Sequence, residues 1–284
     1  MRVSTYIKKW FPVFGLPTLL AFILAFAVPF VMGLYLSFTT FRTVTDAKWA
    51  GIDNYIKAFT DNTGFLRALG FTVAFTVVSV ISVNVLAFAL ALLLTKAIKG
   101  TNIFRAVFFL PNLIGGIVLG WVFQLIFNAI LKALFSQDLT VSATYGFWGL
   151  VILVNWQMIG YMMVIYIAGI QNIPGEVMEA ADIDAAGFWN KLFHVTIPMV
   201  AGSITICTFL TLANCLKLFD QNLALTAGAP KNTTEGLALN IYRTFYGLTN
   251  QQGVGQAKAV IFFVFVSVVA FLQLRLTRSQ EADA

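Results

Sequence analysis

Charge is what this chain has least of. Only 11% of its 284 residues are Asp, Glu, Lys or Arg, while 59% are hydrophobic and the mean hydropathy is +0.85. A soluble domain carries about 25% charged residues, so a water-facing globular fold is excluded. There is one histidine, His194. No site built from several imidazoles can exist, and His194 reads as a packing or bonding residue. The two cysteines, Cys207 and Cys215, stand eight apart on one apolar run and read as small apolar fillers rather than a bridge. No GxxxxGK[ST] loop occurs, so the chain cannot cradle nucleotide phosphates that way. The formal charge of +6 lies beside apolar runs, which directs it to anionic lipid rather than nucleic acid.

What is present is apolar length. Six runs are long enough to span a membrane: 13–38, 68–95, 106–131, 145–170, 198–216 and 259–274. None contains Asp, Glu, Lys or Arg, so the 18 basic and 12 acidic side chains all fall outside them. The sequence therefore predicts an all-α integral membrane protein of six helices forming a single domain. The last run rises only about 24 Å, and Lys258 and Arg275 at its ends are expected to snorkel to the headgroups. The first run follows Lys8 and Lys9 and contains Ala25-Phe26-Ala27, but it exceeds the 7 to 15 residues of a signal-peptide core and reads as a permanent helix. Basic residues crowd the N-terminus (Arg2, Lys8, Lys9) and one short loop (Lys96, Lys99, Arg105). By the positive-inside rule both termini are expected in the cytoplasm.

That orientation places the 171–197 loop inside, where Glu176, Glu179, Asp182 and Asp184 face a single Lys191. An acidic loop on the inner face points to a basic partner surface. Pro174 suits a first helical position, acids gather in the first turns, and Ala180, Ala181, Ala185 and Ala186 keep the surface low for close approach. Gly187 permits a bend. After it Phe188, Trp189, Leu192, Phe193 and Val195 are expected to form an apolar turn packed under the bundle before Pro198 opens the next run.

Glu179-Ala180-Ala181, Asp184 and Pro198 resemble the cytoplasmic EAA signature of the membrane subunits of binding-protein-dependent ABC importers, with Ala185 at the family's usual glycine position and Gly187 two residues later. Further segments resemble the carbohydrate branch, in particular the larger permease of maltose-type and oligosaccharide-type systems. These are Trp49-Ala50-Gly51-Ile52-Asp53-Asn54-Tyr55 with Asp61, Phe65 and Ala68, then Phe104-Arg105-Ala106 with Phe108-Phe109-Leu110-Pro111. Phe219-Asp220 and Leu225-Thr226-Ala227-Gly228-Ala229-Pro230 complete the series, and the order covers most of the chain.

The resemblance implies a type I importer permease fold, with the 171–197 loop as a coupling segment seated on an ATPase. It implies partners: a second permease, an ATPase dimer that uses ATP and Mg, an external solute-binding protein, lipid and a sugar substrate. No cofactor is expected on this chain, which would be a multi-pass subunit of a bacterial-type cytoplasmic membrane and not itself an enzyme. Coupling is implied for Glu179, Ala180, Ala181, Asp184, Ala185, Gly187 and Pro198. Sugar contact is implied for Trp156, Gln157 and Tyr161 on one helix and for Thr211, Asn214, Cys215 and Leu218 on another.

Polar residues inside the runs, Asn84, Asn112, Gln124, Asn128, Asn155, Gln157 and Asn214, each need a bonding partner, water or ligand at depth. Aromatic faces and amides suit sugar C–H surfaces and hydroxyls, and interhelical bonding is the competing role. Lys217 and Asp220 read as lying near the external end. Gly116 and Gly120 permit a close helix contact. A polyol or glycerol-phosphate-like solute is the alternative cargo, and basic residues within the runs would favour it. A secondary transporter would want charge or a broken helix at mid-membrane. A membrane enzyme would want a convergent catalytic set, and none is present.

Overall fold

The structure is a computed structural model that describes residues 2–60, 64–96 and 100–282, with side chains described between 10 and 275, Pro12 excepted. The side chains of Arg2, Lys8 and Lys9, and the residues Asp61 and Lys99, lie outside the described ones. Five helices are long and apolar enough to cross a membrane, and a bent pair, Phe188–Met199 with Ala201–Leu216, supplies a sixth. The chain divides into two compact units, residues 1–63 with 241–262, and residues 64–240 with 263–284.

The first unit begins with α1 (Arg2–Phe22) and α2 (Val28–Leu36), joined by a π-helical turn at Ile23–Ala27 that absorbs Pro29 without ending the span. A two-stranded antiparallel hairpin follows, β1 (Thr39–Thr40) with β2 (Lys48–Trp49), in which Thr39 pairs with Trp49. Inside the hairpin, the backbone N–H groups of Arg42 and Thr43 donate to Asp46 Oδ1 and hold that carboxyl below its usual range. Next comes α3 (Asp53–Thr60). The segment Trp49 to Tyr55 works as a clasp. Gly51 takes φ +60, buried Asn54 donates to the carbonyls of Ser37 and Thr39, and Tyr55 shares a 2.6 Å hydrogen bond with Ser37.

The second unit holds α4 (Phe65–Leu94), α5 (Thr101–Phe109), α6 (Gly116–Phe135) and α7 (Ala143–Gln171). The run 106–131, which the sequence predicts as one span, is two helices parted by a tight turn at Leu110–Leu113 and extended backbone at Ile114 and Gly115. Pro111 withholds an N–H there and the two glycines lower the cost of the break. α8 (Gly175–Ile183) and α9 (Phe188–Lys191) form the loop, and α10 (Ile197–Met199) leads into α11 (Ala201–Leu216) across a 72° bend at Val200, just after Pro198. α12 (Asp220–Leu225) is short and packs on α6. Gly116 and Gly120 make that contact possible, since a Cβ at either would strike the Cβ of Asp220 at 2.8 Å or of Ala224 at 2.6 Å. The core between α4, α7 and α11 is built from Phe75, Val83, Ala87, Leu150, Leu153, Met162, Tyr166, Cys207 and Cys215.

α13 (Leu237–Gly247) and α14 (Gln252–Ala282) complete the chain. α14 starts well before residue 259, so Lys258 is inside the helix. It is fully buried and its ammonium donates to Thr244 Oγ1 at 2.8 Å. The expected snorkelling of Lys258 is therefore corrected. The helix is long enough without it, and burial of an ionised group requires hydrogen-bond partners instead. Arg275 is exposed and lies 4.9 Å above the Phe271 ring.

Candidate functional site

Polar side chains in the second unit occupy three levels along α7. Toward the C-terminal end of α7, Tyr166 donates to Asn84 Oδ1 at 2.7 Å, Asn84 donates to Thr211 Oγ1 at 3.4 Å, and Thr211 donates to the Cys207 carbonyl. At the centre of α7, fourteen residues from each end, Gln157 donates to the Ile114 carbonyl at 3.2 Å and accepts from Gln221 Nε2 at 2.7 Å. Toward the N-terminal end, Gln124 donates to the Leu225 carbonyl and Asn128 accepts from the Leu139 N–H. Asn155 joins α7 to α4 through Ser82 at 2.9 Å. Most of the polar residues expected at depth thus tie helices together.

The middle level matters most. The α5–α6 break and the α11–α12 break both reach it, because Ile114 belongs to the first and Gln221 is the second residue of α12, just past the second. At about 1.5 Å per residue, Gln157 is roughly 21 Å from each end of α7, which is mid-membrane for a helix of this length. Lys217 and Asp220 flank the second break, which the Gln221–Gln157 hydrogen bond sets level with the middle of α7. The apolar run containing Cys215 does not continue outward as straight helix. It breaks at Lys217 to Phe219 and resumes as α12.

The residues with implied sugar contact divide by exposure. Trp156 is 45% exposed and tilts against Phe123 at 5.2 Å, Tyr161 is half-buried with an edge on Phe109 at 6.3 Å, and Asn214 is exposed with its amide on the Leu210 carbonyl. Gln157, Thr211, Cys215 and Leu218 are buried. Gln157 and Gln221 meet directly; no hydrogen bond joins Tyr161 to Asn214 among the described residues. Asn222, which the sequence reading passed over, is fully buried. It donates to Thr226 Oγ1 and the Thr234 carbonyl and accepts from Gly236 N–H, closing the 226–236 loop on α12. Its place within the Phe219-Asp220 to Pro230 segment was the available signal.

In the loop, α8 starts at Gly175, with Pro174 just before it as the cap instead of the first helical residue. The helix closes with a Schellman motif. Ala186 N–H donates to Ala181 O, Ala185 N–H donates to Asp182 O, and Ala185 takes φ +51. The bend is therefore made at Ala185, the family's usual glycine position, while Gly187 has an ordinary φ of −66 and opens α9. A Cβ at left-handed φ costs about 1–2 kcal/mol. We expect Ala185→Gly to raise loop stability by about 1 kcal/mol, read as slower hydrogen exchange at Ala185 and Ala186. Unchanged or faster exchange would contradict the strain assignment.

Across this turn Lys191 pairs with Asp182, which leaves Glu176, Glu179 and Asp184 as exposed acids. Glu179 and Ala180 face outward, but Ala181 is buried within the loop's own fold. Leu192 is buried, whereas Phe188, Trp189 and Phe193 are all more than half exposed; Phe188 meets Trp189 edge-on at 5.3 Å and Trp189 stacks on Phe193 at 6.0 Å. The expectation that these aromatics pack under the bundle is corrected. A four-residue α9 followed by a π turn carries only one face inward, and Leu192 and Thr196 occupy it. His194 is exposed, with Nδ1 3.2 Å from the Asn190 carbonyl. No group of His, Cys, Asp and Glu among the described residues is arranged to hold a metal.

Residues 99–281 match the family described as binding-protein-dependent transport system inner membrane component. The chain is 41% identical to the probable starch degradation products transport system permease protein AmyD of Thermoanaerobacterium thermosulfurigenes, across 96% of each chain. It is 32% identical to the multiple sugar-binding transport system permease protein MsmF of Streptococcus mutans, across 96% of this chain and 97% of that one. Among solved structures it resembles a chain of a bacterial ABC transporter involved in import of the acidic polysaccharide alginate, with a TM-score of 0.83, 18% identity, and 98% and 99% of the two chains covered. At that identity the likeness speaks for the fold.

Proposed function

The chain belongs to the binding-protein-dependent transport system inner membrane components, and from that premise we propose that it is one permease subunit of an ATP-driven importer of a sugar or oligosaccharide. The observation that carries the reading, and that sets it apart from a secondary transporter with its own mid-membrane breaks, is the family match over residues 99–281 with nearly end-to-end similarity to sugar permeases; we put the path at the two helix breaks around Gln157 and Gln221. Irregular backbone at that depth is tolerated where it is covered by protein or lines a water-filled cavity. Trp156, Tyr161 and Asn214 then supply rings for sugar C–H faces and an amide for hydroxyls. Thr211, Cys215, Leu218 and Gln157 hold the helices that present them. The similarity to permeases named for starch products and multiple sugars runs nearly end to end and supports the cargo class.

The protein lies in a bacterial-type cytoplasmic membrane with both termini inside. A second permease closes the other side of the path, a solute-binding protein delivers the sugar from outside, and an ATPase dimer seats the loop and consumes ATP and Mg. No cofactor is needed on this chain. Two global states related by rocking of the bundle give alternating access. A second reading, import of a glycerol-phosphate-like anion, takes its support from Lys217 at the break; Asp220 three residues on offsets that charge.

Co-expression of this chain with its partners is expected to yield a stoichiometric complex that hydrolyses ATP and takes up sugar, while the chain alone does neither. In that complex Tyr161→Ala and Asn214→Leu should each lower uptake through loss of about 1–3 kcal/mol of contact, with assembly intact. Unchanged substrate dependence in both would move the sugar to the partner permease. Active transport by this chain reconstituted alone would overturn the reading.

A further inference from the structure

α9, the π turn after it and α10 form one rod, Phe188–Met199, that meets α11 at 72°. α11 packs along α4 and α7, so a rod at that angle to it runs close to the membrane plane and not across it. Its height follows from a second contact. A Cβ on Gly169, two residues before the end of α7, would lie 3.6 Å from Val200 Cγ1, which sets the bend level with that end. At about 1.5 Å per residue the 29 residues of α7 extend roughly 43 Å, the thickness of a bilayer with its headgroups. The rod therefore lies at headgroup level.

Its sides differ in chemistry. Leu192 and Thr196 are buried, Trp189 and Phe193 stack on one flank with Phe188 edge-on to Trp189, and Asn190 and His194 are exposed on another. Trp189 is 66% exposed. From Ala185 to Phe219 the sequence has no Asp or Glu, whereas α8 carries Glu176, Glu179 and Asp182. Exposed rings on an acid-free rod match the lipid interface, where Trp is enriched and anionic headgroups disfavour carboxylates. A protein surface that receives the acids of α8 has the opposite character.

We infer that Phe188, Trp189 and Phe193 insert into the headgroup layer of the inner leaflet, and that lipid, not protein, is the partner of this face. Amphipathic segments of this kind bury their apolar side about 5–10 Å into the boundary between headgroups and acyl chains. The rings fix the height of the Val200 bend, and α8 moves relative to that fixed point. The choice of the inner leaflet rests on the importer reading, in which the 171–197 loop is cytoplasmic. Neither readout below uses sugar, ATP or uptake, so the two can fail separately.

The complex is assembled in nanodiscs of phosphatidylethanolamine and phosphatidylglycerol, with Cys207 and Cys215 replaced by alanine and a nitroxide attached at Trp189→Cys, Phe193→Cys or Asn190→Cys. The collision rate with oxygen, which concentrates in the bilayer, divided by that with a water-soluble nickel chelate should be at least about threefold higher at positions 189 and 193 than at 190. Separately, Trp189→p-benzoylphenylalanine, which keeps an aromatic side chain in place, should on irradiation add the mass of a phospholipid to this chain. A smaller contrast in the collision ratio, or capture of the ATPase or second permease in place of phospholipid, overturns the inference.

Discussion

Gly160→Ala is expected to abolish recovery of a stably folded chain. Gly160 lies on α7 where α5 crosses it, and a Cβ there would fall onto the carbonyl of Phe108, with the Phe109 amide nitrogen only 2.8 Å away. Both obstacles are backbone, so no rotamer change relieves them. α5 would have to move off α7, carrying the Leu110–Leu113 turn and the Ile114 carbonyl away from Gln157. Overpacking of side chains alone costs about 1–3 kcal/mol, and a clash with fixed backbone should exceed that range. Gly70→Ala is the control. It sits inside α4 with nothing within 4 Å of the added methyl, and should be neutral or slightly stabilising through helix propensity. The measurement is the melting temperature of the detergent-solubilised complex. A Gly160→Ala complex that assembles and melts with the wild type would contradict the close α5–α7 crossing.

The apolar periods and the loop chemistry were legible because they depend on local composition. α4 and α7 begin and end within three residues of the positions expected from hydropathy alone. The breaks were not legible in the same way. Averaged over a span, Leu110-Pro111-Asn112 and Gly115-Gly116 remain apolar, and what interrupts the helix is a missing N–H and two flexible residues rather than polarity. Depth was hidden for the same reason. Lys217 reads as the end of a span when α11 is taken to run straight outward, and only the Gln221–Gln157 hydrogen bond puts it at the middle of α7. Lys258 failed in the opposite direction, since a charge in sequence marks a boundary unless its burial is known. The residues of implied sugar contact were chosen by position on two helices, and side-chain direction then divides them into exposed Trp156 and Asn214 and buried Thr211 and Cys215. In the loop, Ala185 was recognised as standing where a glycine belongs, but the positive φ that explains why required coordinates.

The largest functional effect is expected from the outward face of α8. Glu179 and Ala180 are exposed on this helix, and Ala181 beneath them is buried in the loop's own fold. A partner can therefore touch the first two and not the third. Ala180→Trp should hold the partner off by steric bulk, and Glu179→Lys should reverse the charge it meets, where a close like-charge contact costs several kcal/mol. Neither substitution disturbs the Asp182–Lys191 pair or the closing turn at Ala185, so α8 should keep its shape. Ala181→Trp differs, because it would break the loop from inside and tests folding only. In the reconstituted complex, uptake is expected to fall at least about tenfold in Glu179→Lys and Ala180→Trp, an effect of roughly 1.4 kcal/mol or more on coupling. ATP hydrolysis should persist but lose its stimulation by loaded solute-binding protein. Introducing an acidic residue opposite Glu179→Lys on the ATPase should restore part of the uptake, which a purely structural defect would not allow. Wild-type uptake and stimulation in both variants would show that motion reaches the membrane helices by another route than α8.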